Sequence, residues 1–174
     1  FSACTRSPSE PRVPLAPTAG DTSLTVNVLE PAADAPAIAN PVVTFYAKAG
    51  EDREAFMYYA KRPSGRDSTV FVRFRVDKDA LFMRPNGTLF APGDSILITI
   101  TLVDPTRLIV GFAPSGLRFS STDPADLKFN FLETDDDLDD DGVVDTRDTA
   151  IQTLLAVWRR ESPSQPWVKQ LSRL

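Results

Sequence analysis

Histidine is missing from this sequence altogether, and cysteine occurs once in 174 residues. The first absence excludes Ser-His-Asp and Cys-His nucleophile systems, the HExxH motif and mixed Cys/His zinc sites. The second excludes an intrachain disulfide, a CxxC redox pair and a cysteine-held cluster. No apolar run approaches the ~20 residues that a membrane-spanning helix needs. There is no glycine-rich phosphate loop and no basic surface with interleaved aromatics suited to nucleic acid. What is left is oxygen chemistry: carboxylates, hydroxyls and the hard cations they hold. Proline, in contrast, is plentiful at 15 residues, above the usual share of about 5%, and that disfavours long helices.

Charge is unevenly placed. The formal total is −5, from 19 basic and 24 acidic residues. Nine of the acids lie between Glu133 and Asp148, against the single base Arg147. Taking that stretch away leaves 15 acidic and 18 basic residues, a slightly positive body. The chain is therefore a near-neutral body carrying one concentrated anionic loop, and such a loop calls for a cation.

The N-terminal region reads as an extended arm. Pro8, Pro11, Pro14 and Pro17 recur every three residues, which favours a polyproline-like segment and prevents a helix. Leu24, Val26 and Val28 then alternate along Ser23 to Leu29, the pattern of a strand. Residues 30 to 41, with Pro31, Pro36 and Pro41, read as a second linker-like stretch. Residues 1–41 are thus expected to be an arm with one strand, and 42–174 to be the folded domain.

From Val42 onward short strands follow one another: Val42 to Ala47, Phe56 to Lys61, Ser68 to Val76, Leu81 to Met83, Leu89 to Phe90, Ser95 to Val103, Leu108 to Phe112, Leu117 to Phe119 and Leu127 to Leu132. In Ser68 to Val76 the residues Val70, Val72, Phe74 and Val76 form the core face, with Phe71, Arg73 and Arg75 opposite. Turn signals separate the runs, among them Pro63 to Asp67, Pro85-Asn86-Gly87 and Pro92-Gly93-Asp94. Asn86-Gly87-Thr88 is also formally a glycosylation sequon, although Asn-Gly at a tight turn accounts for it. Short strands with a turn signal every ~8–12 residues predict an all-β fold, an antiparallel Ig-like β-sandwich. Arg73, Arg75, Arg159 and Arg160 would then be solvent-facing strand residues rather than a phosphate site.

One block carries a resemblance. Ile98 to Pro105, Leu108 to Phe112 and Pro114-Ser115-Gly116-Leu117-Arg118-Phe119 resemble the closing half of the ZU5-like β-sandwich modules of bacterial surface proteins. There a strand ending in Val-Asp-Pro is followed by a Pro-x-Gly-Leu-x-Phe element. The resemblance implies an extracellular structural module and no catalysis. Phe1-Ser2-Ala3-Cys4 resembles the tail of a bacterial lipoprotein signal with Cys4 as the lipidated residue. A plain secretory signal cleaved before Phe1 is the other reading, and both place the protein outside the cytoplasm.

The most specific motif is the run from Asp137 to Asp148. Read as a twelve-residue calcium loop, it has Asp137, Asp139 and Asp141 at positions 1, 3 and 5, and Gly142 at position 6. Val143 offers a backbone carbonyl at position 7, Val144 is the apolar residue that follows, and Asp145 and Asp148 fall at positions 9 and 12. Alternate residues turn their carboxylates inward, glycine permits the reversal, and a hard cation gathers six to eight oxygens. Asp136 and Asp140 are expected to face solvent. The final Asp, in place of Glu, makes the loop resemble those of dockerin modules. A dockerin carries two such loops and this chain has one, so cohesin binding is not implied. Calcium is the expected cofactor, with Asp137, Asp139, Asp141, Val143, Asp145 and Asp148 as its ligands.

Beyond the loop, Thr149 to Leu155 is expected to be a short helix capped by Asp148, and the segments around Trp158 and Trp167 a terminal hairpin. The two tryptophans read as cross-strand packing, with sugar stacking as the alternative. Twenty-four acids allow many carboxylate pairs, but nothing marks one, and the protein is not expected to be an enzyme. In the modules it resembles, a further strand usually follows the last hairpin. The expected function is a calcium-stabilised subunit of a pilus-like surface fibre, with the arm of one copy completing the sheet of the next. A strand 23–29 that folds back on its own sheet would instead give a monomeric adhesin or carbohydrate-binding module.

Overall fold

The computed structural model describes residues 28–62 and 69–170. The proline-rich arm, Cys4, most of the candidate donor strand and the turn at 63–67 lie outside the described residues. The chain divides into two compact units, one of them Val28–Asp135 and the other, among the described residues, 136–170. Among the described residues the protein is mostly antiparallel strands with one short helix.

In the first unit, β1 (Val42–Lys48) pairs with β5 (Ser95–Asp104), and β5 with β6 (Ile109–Ala113). The register sets Val43 opposite Ile100, Phe45 opposite Ile98 and Ala47 opposite Ile96. Since side chains alternate across a strand, these residues share one face. The second sheet has β3 (Val70–Val76) between β2 (Arg53–Tyr58) and β8 (Asp126–Phe129), all antiparallel. Ala55 faces Phe74, Met57 faces Val72, and Leu127 and Phe129 follow on β8. β4 (Leu81–Met83) and β7 (Arg118–Phe119) form a small separate pair.

Both three-stranded sheets contribute to a single buried cluster that includes Ala47, Met57, Val72, Phe74, Val76, Ile98 and Ile100. Phe74 is its meeting point. Its ring lies 6.2 Å from Phe45 of β1, 5.2 Å from Phe112 of β6 and 6.0 Å from Phe119 of β7. Such tilted and edge-on contacts add to the burial of each ring.

The structure corrects the expected face of Phe71. The pairing of β2 with β3 shifts between Met57 and Tyr58, so that Met57 meets Val72 and Tyr58 meets Val70. One extra residue on β3 breaks the period-two alternation. Phe71 therefore turns inward beside Val72, fully buried, against Tyr59 at 5.4 Å and Phe129 at 6.0 Å. Arg73 and Arg75 keep the outward face, where Arg73 bonds Glu54 and Arg75 lies 2.6 Å from Asp77.

The segment expected as a linker is bonded to this unit. Ala32 N–H donates to Glu133, Asp135 N–H to Glu30, and Pro31 bridges Thr134. Further on, Ala39 N–H donates to Tyr58 and Ala60 N–H to Ala37. Asn40 finishes the contact by donating to the Phe56 carbonyl at 2.8 Å and accepting from Tyr58 N–H at 2.7 Å. An amide side chain offers N–H donors and a carbonyl acceptor, so Asn40 covers the outer edge of β2 at Phe56 and Tyr58 as a further strand residue would. β2 itself starts at Arg53 and ends at Tyr58, earlier than the expected Phe56 to Lys61.

Tyr59 is 1% exposed, and its hydroxyl has no hydrogen-bond partner among the described residues. Burial pushes its pKa up to about 12, with Glu133 adding to the shift. An unsatisfied buried hydroxyl costs free energy that a hydrogen atom would not. Tyr59→Phe is accordingly expected to keep or raise the Tm, within about 1 kcal/mol of stabilisation, in thermal melts followed by far-UV circular dichroism. A clear fall in Tm would show that the hydroxyl is satisfied.

Acid sensitivity follows from three carboxylates of this unit. Arg73 holds Glu54 below its usual range, the Ala91 N–H and Arg84 do so for Asp94, and Thr106 for Asp104. A depressed carboxylate contributes stability above its ordinary pKa, and this is lost as pH falls through the lowered value. The melting temperature should hold from neutrality to about pH 5 and drop below about pH 4. Melts in acetate and citrate buffers followed by far-UV circular dichroism check the direction.

Candidate metal centre

The acidic loop opens the second unit, and its local structure follows from carboxylates competing for backbone N–H groups. Asp137 accepts from Asp141 N–H at 3.1 Å and from Gly142 N–H at 2.7 Å. Asp141 accepts from Val143 N–H at 2.9 Å. Asp140 and Gly142 both take positive φ, 57° and 86°, which turns the chain back on itself. Glycine accepts that conformation without a Cβ penalty, and Asp tolerates it better than most residues. Asp136 and Asp140 are exposed.

The helix begins earlier than expected, and its cap is a different residue. α1 runs Thr146–Gln152, with Asp145 rather than Asp148 as N-cap. Asp145 is extended, with φ −141° and ψ −161°, and its carboxylate accepts from Arg147 N–H at 2.6 Å. Asp148 sits three residues on and accepts from Asp145 N–H at 2.7 Å, so the two acids form a reciprocal capping box. The signal lies in the three-residue spacing of Asp145 and Asp148, which the sequence reading divides differently, giving Asp148 both the cap and a ligand role and Asp145 a ligand role alone.

Asp137, Asp139 and Asp141 come together as expected: one carboxylate oxygen from each lies within 4.8 Å of the others. Oxygens around a calcium ion at ~2.3–2.6 Å are at most about 5 Å apart, so this trio can share one ion. Asp139 gives the sharper indication. Its Oδ1 is buried and has no hydrogen-bond partner among the described residues. Burial, then the charges of Asp141 and Asp148, push its pKa above the ordinary Asp value. An oxygen aimed inward, denied water and faced by two anions, suits a cation. Asp145 and Asp148 are not in this trio. Asp148 is buried and held below the usual carboxylate range, first by the Asp145 N–H and then by those of Leu138 and Asp139.

The terminal hairpin forms from β9 (Trp158–Arg159) and β10 (Val168–Lys169). The tryptophans are not cross-strand partners. Trp158 faces Lys169, and Arg160 lies 4.5 Å over the ring of Trp167, a cation–π contact.

Comparison with protein-family models, curated proteins and solved structures returned no match. The likeness to ZU5-like modules and to dockerin loops therefore rests on the residues that carry it.

Asp139 is the informative substitution. A raised pKa means the ionised side chain costs folded-state stability above that value and costs nothing when protonated. With calcium chelated at neutral pH, Asp139→Asn should melt at a higher temperature than the wild type. In calcium the order should reverse, because the variant loses an anionic ligand. Both tryptophans of the chain lie in this unit, so their fluorescence reports its melting directly. A variant less stable than wild type in chelator would count against an unmet charge at Asp139.

Proposed function

We propose that this chain is a calcium-stabilised structural module of the cell exterior, an Ig-like β-sandwich that joins further copies of itself through its N-terminal segment. The observation that carries the calcium reading is the buried, unpartnered Oδ1 of Asp139 within the Asp137–Asp139–Asp141 trio. Asp137, Asp139 and Asp141, with the Val143 carbonyl, would hold the ion, and the ion would supply the positive charge that the trio lacks. Calcium loops of extracellular modules work at ~10⁻⁴–10⁻³ M, the range in which this loop is expected to bind. The sandwich reading is supported by two three-stranded antiparallel sheets whose inward residues share the cluster around Phe74.

Assembly is supported by the sheet edges. Among the described residues β1 and β6 end one three-stranded sheet and β8 ends the other, opposite β2. An open edge offers backbone groups to an incoming strand, and the alternating Leu24, Val26 and Val28 suit that role. The carbohydrate alternative has less behind it, since Arg160 already lies over one face of Trp167.

The test uses the full chain with calcium or with chelator. A ligand bound only by the folded state, at about a hundred times its Kd, adds about 2.7 kcal/mol. The tryptophan-reported Tm should therefore rise with calcium, and an unchanged Tm in metal-loaded protein would refute the site. Negative-stain microscopy should show filaments from the full chain and none after deletion of residues 1–27. Filaments that persist without the arm would rule out strand donation.

A further inference from the structure

We propose that Asp148 is a positioning residue, the clasp that closes the acidic loop with or without an ion, and that it stays off the metal. That it closes the loop stands on its own bonds. That it stays off the metal rests on the calcium reading above.

Asp148 is 4% exposed, one of two buried polar or charged residues recognised in the described chain. Its Oδ1 accepts from Leu138 N–H at 2.7 Å and from Asp139 N–H at 3.3 Å. Its Oδ2 accepts from Asp145 N–H at 2.7 Å. A carboxylate has about four lone-pair sites, and three are engaged by backbone donors. Two of the bonds reach back nine and ten residues and tie the start of the loop to the first turn of α1. The third fixes the N-cap.

The contrast with Asp139 separates the two roles. Asp148 has its anion met by N–H groups and needs no cation, whereas Asp139 Oδ1 is buried with no hydrogen-bond partner among the described residues. The trio whose oxygens converge comprises Asp137, Asp139 and Asp141 and leaves Asp148 out. Asp148 acts on the ion through Asp139, whose backbone N–H it holds. The loop is then formed before the ion arrives.

Amide hydrogen exchange and terbium luminescence on the full chain test both halves. In chelator, Asp148→Ala should exchange the Leu138, Asp139 and Asp145 amides about tenfold or more faster than wild type. Asp139→Ala should leave the Leu138 and Asp145 amides as they are. With terbium in place of calcium, luminescence lifetimes in H₂O and D₂O count the waters on the ion. Asp148→Asn should bind with the wild-type water count, and Asp139→Asn should add at least one water or fail to bind. Unchanged amide protection in metal-free Asp148→Ala overturns the clasp. An extra water on terbium in Asp148→Asn makes Asp148 a ligand and overturns the second half. A wild type that takes up no terbium or calcium overturns the calcium reading and that second half together, while the exchange data still decide the clasp. Should Asp148→Ala yield no folded protein, Asp148→Asn decides instead. It keeps one acceptor oxygen, so faster exchange at Asp145 or at the Leu138–Asp139 pair supports the clasp, and no change overturns it.

Discussion

Carboxylates can be gathered in one loop only if something positive faces them, and here backbone N–H groups do most of that work. Seven bonds from main-chain donors reach Asp137, Asp141, Asp145 and Asp148. Bonds to an ionised acceptor are roughly twice as strong as neutral ones, so the loop's shape is set by this pairing. The positive φ values at Asp140 and Gly142 turn the chain back toward Asp137, which receives the Asp141 and Gly142 N–H groups. The loop's one base, Arg147, comes only to 3.7 Å of Asp141. Among the described residues Asp139 Oδ1 is the buried carboxylate oxygen of the loop with no hydrogen-bond donor, and the case for a cation narrows to it.

The unit Val28–Asp135 meets a different constraint, the burial of apolar side chains from two sheets without leaving a bare edge. The β3 bulge solves part of it by placing Phe71 and Val72 on the same side, which thickens the core where Tyr59 and Phe129 arrive. Asn40 and the backbone of residues 37–39 solve another part by covering β2. Arg62 then ties both ends of the unit together, bonding Asp34 near the start and Glu133 near the finish. The Phe56–Tyr58 end of β2, covered from within its own unit, is unavailable to a neighbour, which leaves β1, β6 and β8 as the end strands where strand addition has physical sense.

Much of this was legible in residue order because burial imposes a period. The alternation of Val43, Phe45 and Ala47, and of Ile96, Ile98 and Ile100, announces β1 and β5 and their inner faces. Phe71 was misplaced because a bulge changes parity, and nothing in the run Val70 to Val76 marks where the extra residue falls. Residues 30–41 read as a linker because their attachment is made by backbone groups and one asparagine, which leave no hydrophobic pattern. At the loop, the trio Asp137, Asp139 and Asp141 was readable because metal spacing has a geometric reason. The share-out of Asp145 and Asp148 was not, because a carboxylate can cap a helix or bind an ion with the same atoms.

That ambiguity is built into the motif. Positions 9 and 12 of a calcium loop are three apart, and so are the N-cap and N3 of a helix. A chain that starts a helix at position 9 therefore sets an acid at position 12 over the N-cap N–H, whether or not an ion is present. Here that acid is also buried over Leu138 and Asp139, so helix start and loop closure are one structural event. A cation entering such a loop does not have to organise it, as it must where metal binding and folding are the same step. Its contribution would reduce to neutralising the repulsion around Asp139, a smaller effect than organising the loop.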